Sequence, residues 1–187
     1  MRLRLAVLTI LAFTAFACSN AAEPYTHVPK YSKNVSTLYG HEAQNPQGMA
    51  PDIEWRDSNG VKRTLRDLRG KVVVVNFWAT WCVPCLVELP ALADIANDFR
   101  DDSVVVLGMS IDQAGNVFPK VEEFHRSKGL NFQVITDNKM DVYKAYTRTS
   151  QVAIPQTFFV DVDGFVQSRL VGEQQYDSFK EQIEALL

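Results

Sequence analysis

Abundant cysteine, clustered positive charge and a long membrane-spanning apolar run are all missing from this 187-residue chain. Three cysteines exclude a disulfide-dense miniprotein. Lys plus Arg number 19 against 22 Asp plus Glu, a formal charge of −3. No basic cluster stands out, so the electrostatic footprint of a nucleic-acid binder is absent, and no nucleic-acid partner is expected. Nine glycines and eight prolines without a period exclude a collagen-like chain, and 47% hydrophobic residues exclude a disordered acidic tail. The length suits one globular domain with an extra segment. What is present is an odd cysteine count: Cys82 and Cys85 are neighbours, and Cys18 stands alone.

The start of the chain accounts for the odd one. Arg2 and Arg4 precede an uncharged apolar run from Leu5 to Ala17. That pattern reads as a signal peptide over residues 1–17, too short for a comfortable membrane span. Two cleavage readings compete. Ala15 and Ala17 suit ordinary signal peptidase at −3 and −1. The same residues followed by Cys18 and Ser19 resemble a bacterial lipobox with Ala15 in place of the usual Leu, and this reading is favoured, with Cys18 as the lipidated residue. Residues 18–49 are polar, Pro- and Gly-containing and without period, so they read as a tether. His27 and His41 lie there and read as solvated residues.

The expected domain covers 50–187. Asn59-Gly60 between short strand-like runs predicts a hairpin. Val72-Val73-Val74-Val75-Asn76-Phe77-Trp78 predicts a strand buried on both faces, with Trp78 in the core. Leu89, Leu92, Ala96 and Phe99 give helical spacing over 82–99, with Pro90 expected to kink the helix. A strand over 104–110, a helix ending at Gly129, a strand over 132–136 and a helix over 141–146 follow. His125 reads as a surface residue of its helix. Val162-Asp163-Gly164 joins two strands, and Tyr176, Phe179, Ile183 and Leu186 mark a last amphipathic helix. The order predicts an α/β domain with a mixed sheet.

Chemistry concentrates in Trp78-Ala79-Thr80-Trp81-Cys82-Val83-Pro84-Cys85. A Cys-x-x-Cys between a buried strand and a helix puts the first cysteine beside unpaired backbone N–H groups and the helix dipole. Both favour its thiolate. The second cysteine, one turn on, can attack a mixed disulfide. Pro84 suits a first helical turn because its missing N–H is not needed there. A static disulfide or half a zinc site is the plainer reading. Zinc needs two more ligands of suitable spacing, and only Cys18 and three scattered histidines remain.

This stretch resembles the active site of thioredoxin-like proteins, and the surrounding sequence looks like their extracytoplasmic branch, the TlpA/ResA/CcmG type. Ala50-Pro51-Asp52-Ile53, Gly70-Lys71, Ser110-Ile111-Asp112 and Ile154-Pro155 before Thr157-Phe158-Phe159-Val160-Asp161 support it across 50–187. The resemblance implies a thioredoxin-like fold: a mixed central sheet flanked by helices, an N-terminal β-hairpin and a central αβ insertion over 112–146. It implies a cis bond at Ile154–Pro155 facing the dithiol. Such a proline lacks an N–H and leaves neighbouring backbone for a bound substrate strand. Gln156 departs from the Thr often found after that proline.

Glu88, three residues after Cys85, occurs at that spacing in this branch, where it helps proton transfer at the second cysteine. Positions i and i+3 share a helix face, and a buried carboxyl with a raised pKa can act as a base. The position six before the first cysteine holds an Asp in cytosolic thioredoxins. Here it is Asn76, which cannot titrate, and this strengthens the case for Glu88.

The expected function is thus thiol–disulfide exchange on the periplasmic side of a bacterial membrane. Cys82 attacks, Cys85 resolves, Glu88 and Pro155 assist, and Trp81, Val83, Pro84 and Ile154 surround the docking site. The resemblance implies reduction of client disulfides, apocytochrome c among them, with electrons from a membrane dithiol carrier and no cofactor. Rival readings are a dithiol oxidase and a non-enzymatic metallochaperone on the same fold. A peroxiredoxin needs Thr-x-x-Cys, and Thr80-Trp81-Cys82 has the wrong spacing.

Overall fold

The computed structural model describes residues 48–57, 59–100, 104–113 and 117–187. The leader, Cys18, His27 and His41 lie outside the described residues. Among the described residues no helix is long and apolar enough to cross a membrane.

The architecture grows from β3 (Val72–Trp78), whose seven residues are all buried. An unbroken β-branched and aromatic strand can be hidden on both faces only at the centre of a covered sheet. β3 pairs in parallel with β4 (Val104–Ser110) on one side and antiparallel with β6 (Gln156–Val160) on the other. β5 (Gln133–Thr136) adds to β4 in parallel, and β7 (Val166–Val171) adds to β6 antiparallel. The resulting order is β5-β4-β3-β6-β7, a mixed sheet. Before it, β1 (Glu54–Arg56) and β2 (Lys62–Thr64) form the separate antiparallel hairpin expected from Asn59-Gly60. Gly60 supplies the positive φ of 77° that the turn requires.

Helices cover the sheet. α1 (Val83–Asp98) packs on α4 (Tyr176–Glu184), and α2 (Val117–Ser127) packs on β5. α1 buries Leu89, Leu92 and Ile95, and each such side chain contributes about 1.5–3 kcal/mol. It continues through Pro90 to Asp98. α2 ends at Ser127, and the turn after it passes through Gly129, where φ is 61°. α3 (Asp141–Thr147) follows β5. The 112–146 segment therefore supplies an edge strand and two helices to the fold. Gly108 of β4 is set by close approach: a Cβ there would lie 2.8 Å from the Phe132 ring and 3.1 Å from Trp78 Nε1.

One expectation changes. His125 is buried, not at the surface: its Nε2 lies 3.1 Å from Phe132 O. It faces inward because the apolar face of α2 packs on β5. Burial holds its pKa below the ordinary value, only partly offset by Phe132 O and Glu122. Paired backbone also begins before residue 50: Val166 N–H donates to Gly48 O, and Met49 bridges Phe165.

Candidate active site

The carboxyl ends of β3 and β4, side by side in a parallel pair, project the loops that make the site. β3 leads through Ala79, Thr80 and Trp81 to Cys82, which caps α1 in extended conformation. The Cys85 N–H donates to Cys82 Sγ at 3.2 Å. This is the free N–H expected at a helix start, and it is aimed at the sulfur that would carry charge once reduced. Cys82 and Cys85 are joined in a disulfide. Cys85 is fully buried, whereas Trp81 and Val83, on either side of Cys82, are 58% and 70% exposed. Pro84 is also exposed.

The Ile154–Pro155 peptide is cis. Ile154 O lies 3.8 Å from Cys82 Sγ. Pro155 O is occupied by the Gly172 N–H at 2.9 Å. Ile154 is half-buried and Pro155 buried, so the loop shows the disulfide a carbonyl and an apolar side chain. Trp81, Ile111, Gln113, Met140 and Val152 line a cavity of about 140 Å³ beside it.

Beneath Cys85 lies Glu88, only 1% exposed. Its Oε1 accepts from Asn76 Nδ2 at 2.7 Å and its Oε2 from the Gln174 N–H at 3.1 Å. Burial pushes the carboxyl up to about 7, against the lowering effect of those two donors and with the help of nearby Glu173. A carboxyl balanced near neutrality can take or give a proton at working pH.

A second carboxylate, 3% exposed, organises the front of the site. Asp112 Oδ2 accepts from the Thr80 N–H and Ser110 Oγ, both at 2.9 Å, and its Oδ1 accepts from Thr80 Oγ1 at 2.6 Å. The turn before Cys82 is thereby tied to the end of β4.

The structure brings Trp81, Cys82, Val83, Pro84, Cys85, Glu88, Ile154 and Pro155 to one end of the sheet, as the sequence predicts. Sequence reasoning passed over Thr80, Asp112 and Gln174. Ser110-Ile111-Asp112 was legible as a motif, and its place at the carboxyl end of a buried strand was the available signal. Gln174 offers only a backbone N–H, and no side-chain pattern announces that. Asn76, read as unable to titrate, is the side-chain donor to Glu88.

The model of the AhpC/TSA family matches residues 46–169. Thiol-disulfide oxidoreductase ResA of Bacillus thuringiensis (strain Al Hakam) is 33% identical over 138 residues, 74% of each chain. ResA of Bacillus subtilis (strain 168) is 32% identical over 142 residues, 76% of each chain. A crystal structure from Chlorobium tepidum, assigned as a thiol:disulfide interchange protein DsbE, superposes with a TM-score of 0.65 at 26% identity. It covers 75% of this chain and 96% of its own.

Proposed function

That the chain belongs to the AhpC/TSA family, as a thioredoxin-like thiol–disulfide oxidoreductase of the ResA/DsbE type, is the premise from which we propose that it reduces client disulfides outside the cytoplasm. The observation that carries this reading is the buried Glu88, with a pKa of about 7, on the same helix face as Cys85. In the reducing direction Cys85 must become a nucleophile inside a dry site, and a buried thiol there needs a base.

The steps follow from the geometry. The Cys82 thiolate, held by the Cys85 N–H, attacks one sulfur of the client disulfide and expels the other as a thiolate. Glu88 takes the Cys85 proton. The Cys85 thiolate then attacks Cys82 Sγ and expels the second client thiolate, leaving the protein disulfide. Two electrons have passed to the client, and a membrane dithiol carrier, oxidised to its disulfide in turn, supplies a new pair to the Cys82–Cys85 disulfide. The client strand docks among Trp81, Val83, Pro84 and Ile154 and pairs with backbone beside Pro155. Apocytochrome c is the proposed client. Export by residues 1–17 and lipidation at Cys18 would keep the domain at the membrane where its donor resides.

A reduction potential tests the direction. A value near about −270 mV supports a reductant, and one near about −120 mV sinks it in favour of a dithiol oxidase. Cys82→Ser should abolish disulfide reduction. Cys85→Ser should stall the client on Cys82 as a mixed disulfide, from which the client can be identified.

A further inference from the structure

One side chain of the 112–146 insertion holds the loop that faces Cys82. Tyr143 of α3 is fully buried, with its ring edge-on to Phe77 at 5.5 Å. Its hydroxyl accepts from the Ala153 N–H at 2.8 Å and donates to Gln151 O at 2.9 Å. Gln156 Nε2 also donates to that hydroxyl at 3.3 Å and to Ala153 O. One phenol and one amide thus hold both ends of the segment from Gln151 to Gln156, which contains Ile154 and Pro155.

The first turn of α3, which carries Tyr143, is fixed as well. Asp137 Oδ1 and Oδ2 accept from the Asp141 and Tyr143 N–H groups at 2.9 and 2.8 Å. The Asp137 N–H donates to Ser110 O at 2.7 Å. Ser110 is the residue whose hydroxyl meets Asp112. The loop before Cys82 and the loop facing it are therefore both referenced to the end of β4, one through Asp112 and the other through α3.

We propose that Tyr143, together with Gln156, is a positioning residue for client recognition: it sets the loop facing Cys82, so the insertion selects for disulfides carried on a peptide strand. The reasoning is that a peptide must align its backbone with this loop, whereas a small disulfide needs only to reach Cys82 Sγ. The inference rests on exchange at Cys82 and is independent of the direction of electron flow in the cell.

The test uses fully reduced protein mixed with excess disulfide, with protein thiol counted after acid quench. One substrate is a cystine-bridged peptide, and the other is hydroxyethyl disulfide. Wild-type protein must react with both; no reaction at all would defeat the exchange reading itself. Tyr143→Phe keeps the ring and removes the hydroxyl. It should raise half-saturation by the peptide about tenfold, with the limiting rate within about twofold, and shift the small-disulfide rate far less. Gln156→Leu should move the peptide preference in the same direction. Its amide oxygen has no hydrogen-bond partner among the described residues, so only the Nε2 contacts are lost. Tyr146→Phe, which removes a bond to Pro51 O from the same helix, is the matched control and should not alter the preference. An unchanged ratio of peptide to small-disulfide rates in Tyr143→Phe and Gln156→Leu overturns the proposal. So does an equal loss on both substrates.

Discussion

Two carboxylates near the disulfide, Glu88 and Asp112, are buried to nearly the same degree, and they are wired for different work. Each oxygen of Glu88 receives one N–H donor, from the β3 side chain of Asn76 and the backbone of Gln174. Asn76 is fully buried in β3, and Gln174 lies in the loop that joins β7 to α4, away from the loop that carries Cys82. Asp112 receives three donors, and two of them come from Thr80, in the loop that carries Cys82. Removing Glu88 would leave the scaffold standing and take away a proton site. Removing Asp112 would release the loop that carries Thr80 and Cys82. Burial by itself thus does not tell a proton carrier from a fastener; what separates them is that two of the three donors to Asp112 sit on the loop that carries Cys82, and neither donor to Glu88 does.

The sharpest way to break this contrast is Glu88→Gln. On the proposed mechanism the Cys85 proton loses its acceptor, and release of the second client thiol should slow about 100-fold or more. Rapid mixing with a peptide disulfide reads that step apart from the first attack by Cys82, which should be nearly unaffected. An unslowed release would return Glu88 to the class of structural carboxylates. The amide should fit, because Asn76 Oδ1, buried and without a hydrogen-bond partner among the described residues, can accept from it after a flip.

The same substitution has a stability signature. The Glu88 carboxyl is raised from 4.5 to about 7, so the native state binds this proton more tightly than the unfolded chain does. The resulting stabilisation is complete below pH 4.5 and lost as pH rises through about 7, some 3 kcal/mol on crossing the window. Urea titrations across it should show a falling contribution in wild-type protein that is missing in Glu88→Gln. The comparison must be a difference between the two proteins. Asp137, also raised by burial, slopes the same way, and His125, lowered by burial, gives stability that is lost as pH falls below 6.5. Asp112→Asn should do the reverse of Glu88→Gln. It faces an amide NH2 toward Thr80 or Ser110 donors and should cost about 2 kcal/mol. If Asp112→Asn instead removed the pH slope, the assignment of the two carboxylates would be exchanged.

Much of this was legible in the sequence because it follows local rules. The β3 run, the strand-to-helix placement of Cys82 and the three-residue step from Cys85 to Glu88 are all short-range patterns. The cis bond at Pro155 was legible only through family resemblance, since spacing does not fix an isomer. His125 was misread because a titratable residue near a helix end looks solvated. Its inward face follows from the packing of α2 on β5, which is a tertiary fact. Asp112 and Tyr143 were missed for a similar reason: their partners lie at Thr80 and at Gln151 to Gln156, and only the folded chain joins them.

The finest test of the contrast lies one bond further out, at Asn76. Its amide donates to Glu88 Oε1 and to Thr157 Oγ1, at 2.7 and 3.0 Å. The bond to Glu88 favours the charged carboxylate, so Asn76→Ala leaves burial and Glu173 to act against fewer opposing donors. The carboxyl should then move above its value of about 7. Such a bond is worth about 1 kcal/mol more to a charged carboxylate than to the neutral acid, so the move should be under about one pH unit. The pH profile of the release step should shift alkaline by that amount, with the initial attack by Cys82 keeping its own profile. Asp112→Asn should shift neither. An acid shift in Asn76→Ala would mean that the amide had been opposing the charge, and Glu88 would then owe its balance near neutrality to something other than burial set against two N–H donors.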